Sequence, residues 1–121
     1  MKILICGGRH FSDYDFLVTC MNELNQRFNI TAIISGRCRG ADLLGERWAI
    51  NNEIPIIPFP ANWKKYGVSA GQIRNQQMID EGKPDLCIAF PGNNGTADMI
   101  RRCRYNKIPV EQFPKTNIML F

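Results

Sequence analysis

Three clusters of glycine, arginine and small polar residues carry the chemistry this chain can offer. The first is Gly7–Gly8–Arg9, and the second is Ser35–Gly36–Arg37–Cys38–Arg39–Gly40–Ala41–Asp42. The third is Pro91–Gly92–Asn93–Asn94–Gly95–Thr96. Glycine admits a close backbone approach and a positive φ. A helix that follows such a loop turns its free N–H groups and the positive end of its dipole toward the loop, which favours an anion. Arg9, Arg37 and Arg39 add guanidinium forks that match a phosphate. Arg74 and Asn75, early in the segment Ser69–Met78, can reach a base, a ribose or a phosphate. Upstream, Trp63 and Tyr66 either stack on a base or pack against the sheet edge. Each feature has a plainer explanation too. Tight connections from strand to helix favour glycine, Asp42 or Thr96 can cap a helix, and a loop arginine is usually just solvated. Three such loops together are harder to explain structurally. The candidate ligand-binding residues are therefore Gly7, Gly8, Arg9, Ser35, Gly36, Arg37, Arg39, Gly40, Asp42, Arg74, Asn75, Pro91, Gly92, Asn93, Gly95 and Thr96.

Other chemistries find less support. His10 is the only histidine and has no obvious acidic partner, and Cys38 in its arginine-rich loop lacks a base. There is no GxxxxGK[ST], so ATP hydrolysis of the P-loop type is not expected. No CxxC pair occurs, and neither a metal nor a cofactor is expected. Cys6, Cys20, Cys87 and Cys103 fall inside apolar stretches, as reduced core thiols do. The net charge of +4 suits a small anion as well as a nucleic acid and does not choose between them. The start, MKILICGG, has too short an apolar run for a signal peptide, and no window approaches a membrane span. A cytoplasmic location is expected.

The clusters need elements to hold them. Apolar runs at Lys2–Cys6, Thr31–Ser35, Ile54–Phe59, Leu86–Phe90 and Ile108–Phe113 read as strands, and the central ones are continuously apolar. Parallel strands covered on both faces have that character. Between them, Phe16, Cys20, Leu24 and Phe28 recur at helical spacing, widened by Leu17 and Met21. Leu44 with Trp48, Ile73 with Gln77 and Met78, and Ile100 with Cys103 continue the pattern. Ser12 or Asp13 can cap the first helix, and Asp80–Pro84 stops the third. The chain of 121 residues thus reads as one α/β domain over 1–121. It is expected to be a Rossmann-like three-layer α/β/α fold around a mainly parallel five-stranded sheet. With right-handed crossovers and the first strand central, strands two and four flank it, and the three loops converge on one crevice. Residues Thr116–Phe121 are expected to add an edge strand or an oligomer contact.

Read in order, ILICGGRHF, IISGRCRGAD, FPANWKKYGVSAGQIRNQQM and DLCIAFPGNNGTADMIRR resemble the SLOG superfamily, specifically its small YspA-like branch. The resemblance spans almost the whole chain. It implies a fold related to LOG phosphoribohydrolases and to DprA, and the binding of nucleotides or nucleotide-derived ligands. LOG enzymes carry PGGxGTxxE, whose glutamate assists N-glycosidic cleavage; the matching position here is Met99. A thioether cannot act as a base, so the leading expectation is a sensor, carrier or sequestering protein without catalysis. A phosphoribohydrolase using Glu46, Asp42 or Asp98 is the second reading. On helical spacing Asp98 is expected to point away from the site, and Glu46 to be solvated. DprA-like binding of single strands is third, because interleaved aromatics and cations are missing. Oligonucleotide binding is expected to be weak, and self-association into a homo-oligomer is expected.

Overall fold

The computed structural model describes residues 1–115, so Thr116–Phe121 lie outside the described residues. Five parallel strands form one sheet in the order β3-β2-β1-β4-β5. They are β1 Lys2–Cys6, β2 Ala32–Ser35, β3 Ile56–Pro58, β4 Leu86–Ala89 and β5 Val110–Gln112. The first strand is central, flanked by β2 and β4, as the sequence leads one to expect. The edge strands are shorter than their apolar runs because each pairs on one side only. The ladder of β3 ends where Ser35 faces Pro58, beyond which the Phe59 amide still donates to the Ser35 carbonyl at 2.8 Å.

Helices α1 Tyr14–Phe28 and α2 Ala41–Asn51 connect the strands on one side of β1. The chain then crosses back through the short α3 Trp63–Tyr66, a 3-10 turn at Gly67–Ser69 and α4 Ala70–Asp80. The last helix, α5 Asn94–Tyr105, leads to β5. Strand alternation splits the core in two. Ile3, Ile5, Ile33, Leu86 and Ile88 pack with the α1 and α2 residues Leu17, Met21, Leu24 and Trp48. Leu4, Cys6, Ile34, Cys87 and Ala89 pack on the other face with Met78, Met99 and Cys103 from α4 and α5. Both faces of every central strand are therefore covered, which is why those strands read as unbroken apolar runs. Cys6, Cys20, Cys87 and Cys103 are free and buried.

Local signals fix the helix starts. Asp13 caps α1, its carboxylate accepting the Phe16 amide at 3.1 Å. The inner face of α1 is Leu17, Cys20, Met21 and Leu24, with Phe16 and Phe28 partly buried at its margin. Helix α4 differs from expectation. Ile73 and Gln77 are exposed, and the inner face is Arg74, Asn75, Met78 and Ile79. Its apolar residues set the wrong face because two of the inner positions are polar and satisfied by partners on other elements. No helix among the described residues is long and apolar enough to cross a membrane.

Candidate functional site

The loop after β1 is stitched to both of its neighbours through Gly8. Its N–H donates to the Pro91 carbonyl at 2.8 Å, and its own carbonyl accepts from the amides of Ala41 and Phe11, each at 3.2 Å. A Cβ on Gly8 would meet the Pro91 oxygen at 2.9 Å, and one on Gly92 would meet the Gly8 nitrogen at 2.7 Å. Gly40, at φ +84°, is pressed against the Gly8 and Arg9 carbonyls. These glycines let three loops pack backbone on backbone. Gly95 is different, because a Cβ there would meet nothing within 4 Å. Phe11 anchors the first loop by packing on Phe90, with ring centroids 5.0 Å apart.

Helices α2 and α5 start at these loops, and neither has a side-chain cap. The residues before them, Gly40 and Asn93, hold the cap positions, which leaves Asp42 and Thr96 within the first turns of their helices. The Asp42 carboxylate accepts the Cys38 amide at 3.2 Å. Burial pushes the Asp42 carboxyl up to about 6, against the lowering pull of the Cys38 amide and the Arg74 charge.

Arg74 and Asn75 brace the site from α4. The Arg74 guanidinium donates to the Gly36 carbonyl at 2.6 Å and to the Asn75 side-chain oxygen at 3.1 Å. It also lies 3.6 Å from the Cys38 sulfur. Asn75 in turn donates to Asp98 at 2.9 Å and to the Gly95 carbonyl at 3.4 Å. Asp98 also receives Arg102 at 2.8 Å and Arg101 at 3.3 Å. Desolvation works to raise the Asp98 carboxyl, but the hydrogen bonds from Arg102 and Asn75 and the two arginine charges hold it below its usual range. Asp98 is 9% exposed and faces the cavity described next, contrary to the expectation from helical spacing. Asn75 and Arg102 draw it inward. The expectation for Glu46 is also corrected. Glu46 is 5% exposed, accepts the Ser35 hydroxyl at 2.6 Å and pairs with Arg37. Arg37 holds a positive φ of 64° beside it. Glu46 does not line the cavity, so it is not available there as a catalytic carboxylate.

A cavity of about 430 Å³ opens where β1, β2 and β4 end. Of the residues singled out from sequence, Gly7, Gly8, Arg9, Asp42, Arg74, Asn75, Asn93, Gly95 and Thr96 line it. Ser35 is buried behind its wall, and Gly36 contributes the carbonyl that Arg74 grips. Gly40 sits in the packed seam with Gly8, while Arg37 and Arg39 are exposed outside the lining. Pro91 and Gly92 face a second hollow of about 350 Å³ shared with Gln112 and Phe113.

Several lining residues were outside the sequence-derived set. Ile5, Cys6, Met78 and Met99 are apolar, and Met99 is 2% exposed within the core. His10, Cys38, Gly71, Gln72 and Asp98 add polar or backbone surface, and Trp63 and Val68 stand at the exposed side. Of these, Met99 is flagged in the sequence by its match to the LOG glutamate, Asp98 as a substitute carboxylate and Trp63 by its aromatic ring alone, because α3 is too short to show a periodicity.

Comparison with known proteins agrees with this architecture. The chain is 32% identical to the Gene 61 protein of Mycobacterium phage D29 over 121 residues, covering 93% of this chain and 95% of the phage protein. It is similar in fold to UDP-GlcNAc 2-epimerase from Neisseria meningitidis, whose crystal structure holds UDP-GlcNAc. The TM-score is 0.55 at 18% identity, over 93% of this chain and 32% of the epimerase chain. The chain thus spans about a third of the epimerase, and that likeness concerns the fold alone. Residues 1–66, from β1 through α3, match the YspA, cpYpsA-related SLOG family, and the chain belongs to that family.

Proposed function

We propose that the chain binds a nucleotide or nucleotide-derived, phosphate-bearing small molecule in the 430 Å³ cavity, as a sensor, carrier or sequestering protein rather than as a catalyst. The observation that carries this reading is the convergence of Gly8, Asn93–Thr96 and Asp42 on one cavity where α2 and α5 begin, the Ala41 amide of α2 spent on the Gly8 carbonyl and the first turn of α5 left without a side-chain cap. Uncapped N–H groups and the helix dipoles favour an anion there. The volume lies within the ~300–1,000 Å³ typical of small-molecule sites. Gly95 leaves room for a phosphate, and exposed Arg9 supplies a guanidinium at the rim. Membership of the SLOG family and the nucleotide sugar held by the epimerase of similar fold add weight to a nucleotide-like ligand. The candidate residues outside the cavity, among them Ser35, Gly36, Gly40 and Gly92, serve the site by holding its walls. Self-association is part of the same proposal.

Calorimetric titration with nucleoside 5′-phosphates tests the reading. Gly95→Val abolishes binding by filling the phosphate position, and Arg9→Ala weakens it by about 1.5–3 kcal/mol, the range for a charge-assisted hydrogen bond. Unchanged affinity in both variants removes the cavity from consideration. Oligonucleotide binding is expected to be weak; a steep loss with salt, with a log–log slope near −0.9 per phosphate covered, is the mark of a duplex binder. Nanomolar oligonucleotide affinity with no small-molecule binding overturns the proposal.

A second reading, an N-glycosidase, is favoured by one observation: Asp42, with its carboxyl near 6, and ionised Asp98 line the same cavity. Two carboxyls pushed apart in this way suit acid and base roles. Asp98 is already engaged by three donors, however, which is why the binder reading stands first. Chromatography of long incubations with AMP, GMP, CMP and UMP separates the two. No free base is expected; base release that disappears in Asp42→Asn or Asp98→Asn establishes the glycosidase instead.

A further inference from the structure

Trp63 is half exposed, at 50%, and lines the same cavity as the glycine loops. Beside it on that wall stands Val68, 96% exposed. A half-exposed ring at a cavity wall leaves a flat apolar face that a ligand's ring can cover, and burying an aromatic ring is strongly favourable. Its position is defined by Gly71, whose missing Cβ would lie 3.5 Å from the edge of the indole and 4.0 Å from the Arg74 guanidinium. The indole therefore lies over the first turn of α4, next to the arginine that grips the β2 loop. On the other flank of α4, Asn75 reaches the Gly95 carbonyl in the first turn of α5. The α3–α4 side of the cavity is thus aromatic and apolar, and the side beyond Asn75 carries the first turn of α5, which has no side-chain cap. That polarity matches a molecule with a flat ring at one end and a phosphate at the other.

Resting on the nucleotide-binding reading, we propose that Trp63 is the platform for the ligand's base. The purine or pyrimidine stacks on the indole with Val68 against its edge, while the phosphate sits at Gly95–Thr96. The ligand is then a nucleoside 5′-phosphate with its base attached, and not a sugar phosphate. Stacking tolerates any base, because each has a π face. Trp63 accordingly confers affinity for a base without choosing which one.

Fluorescence reads this directly. The chain has two tryptophans, and Trp48 is 1% exposed in the core away from the cavity, so a change on ligand addition reports Trp63. The intact chain is titrated with AMP, UMP and ribose 5-phosphate, following emission and heat. AMP and UMP are expected to quench the emission and to bind more tightly than ribose 5-phosphate, which leaves it unchanged. Trp63→Ala, at an exposed position, is expected to weaken AMP and UMP by about five- to 150-fold, the range for one base on an aromatic ring. Ribose 5-phosphate affinity stays within about two-fold, and Trp63→Phe keeps most of the AMP affinity. AMP binding that is lost in Gly95→Val yet unchanged in Trp63→Ala, with no quenching, refutes the platform and leaves the nucleotide reading intact. If Trp63→Ala alters the sedimentation coefficient instead, the ring is a contact between copies and the platform is refuted. No binding of AMP, UMP or ribose 5-phosphate by the intact chain defeats both.

Discussion

Asp42 and Asp98 line one cavity, yet their surroundings move their carboxyls in opposite directions. Asp42 is raised, so the folded chain holds its proton more tightly than the unfolded chain does. The stability tied to that proton is fully present below the usual carboxylate range and is lost as pH rises to about 6. Above that, the folded state carries a buried anion. Asp42→Asn removes the penalty while keeping an oxygen to accept the Cys38 amide. Near pH 7 the variant is expected to be more stable than the parent by about 2–3 kcal/mol, from roughly 1.4 kcal/mol per pH unit, with the difference gone near pH 4. Urea melts across that range check it, and a parent that outlasts the variant at neutral pH contradicts the assignment. Asp98 has the reverse sign, contributing stability that is lost as pH falls. The sequence shows both aspartates beside the loops but not these environments. Asp42 depends on burial behind Arg74, and Asp98 on Asn75 and Arg102 arriving from separate turns and helices.

Between β1 and its two neighbours, the loops behave as one element joined at Gly8. The sequence makes the glycines visible and suggests ligand approach as their common reason. The structure divides that reason, since Gly8, Gly40 and Gly92 serve loop-on-loop packing while Gly95 faces open space. Gly40→Ala adds a methyl at φ +84° against the Gly8 carbonyl, and is expected to cost at least about 2 kcal/mol of stability. Gly95→Ala lies within α5 with nothing to strike, so stability is expected to hold or to rise by up to about 1 kcal/mol. It is nonetheless expected to weaken AMP binding. Thermal melts and titrations of the two variants separate a folding glycine from a binding one; equal destabilisation by both would remove the distinction. The same limit of sequence patterning appears in α4. Periodicity selects apolar residues, so it puts Ile73 inward. Arg74 and Asn75 take that face because Gly36, Gly95 and Asp98 supply their partners from segments far away in the chain.

Taken whole, the molecule presents one sheet whose central strands contribute to both cores. That much was legible, because unbroken apolar runs alternating with helical stripes leave few arrangements. Loss of either helical layer strips one face of β1, β2 and β4, so neither core survives alone. We therefore expect the chain to unfold in a single transition, with matching calorimetric and van't Hoff enthalpies and a heat-capacity change of about 1.5–1.8 kcal/mol/K, scaled from per-residue averages. Two resolved transitions would contradict this. The small size of the chain and its exposed helices lead one to expect self-association, and the surface offers it a place. Tyr66 and Ile73 are 40% and 41% exposed and share a groove with Phe59 along α3 and α4. If copies meet there, unfolding is coupled to dissociation, and the melting temperature climbs with protein concentration. Ile73→Glu, which puts a charge on the exposed face of α4 without touching either core, is expected to abolish that climb and lower the sedimentation coefficient to that of a monomer. The AMP affinity of the variant should stay unchanged, because Ile73 does not line the cavity. A parent whose melting temperature is independent of concentration is a monomer, and that face of α4 is then plain solvent-exposed surface.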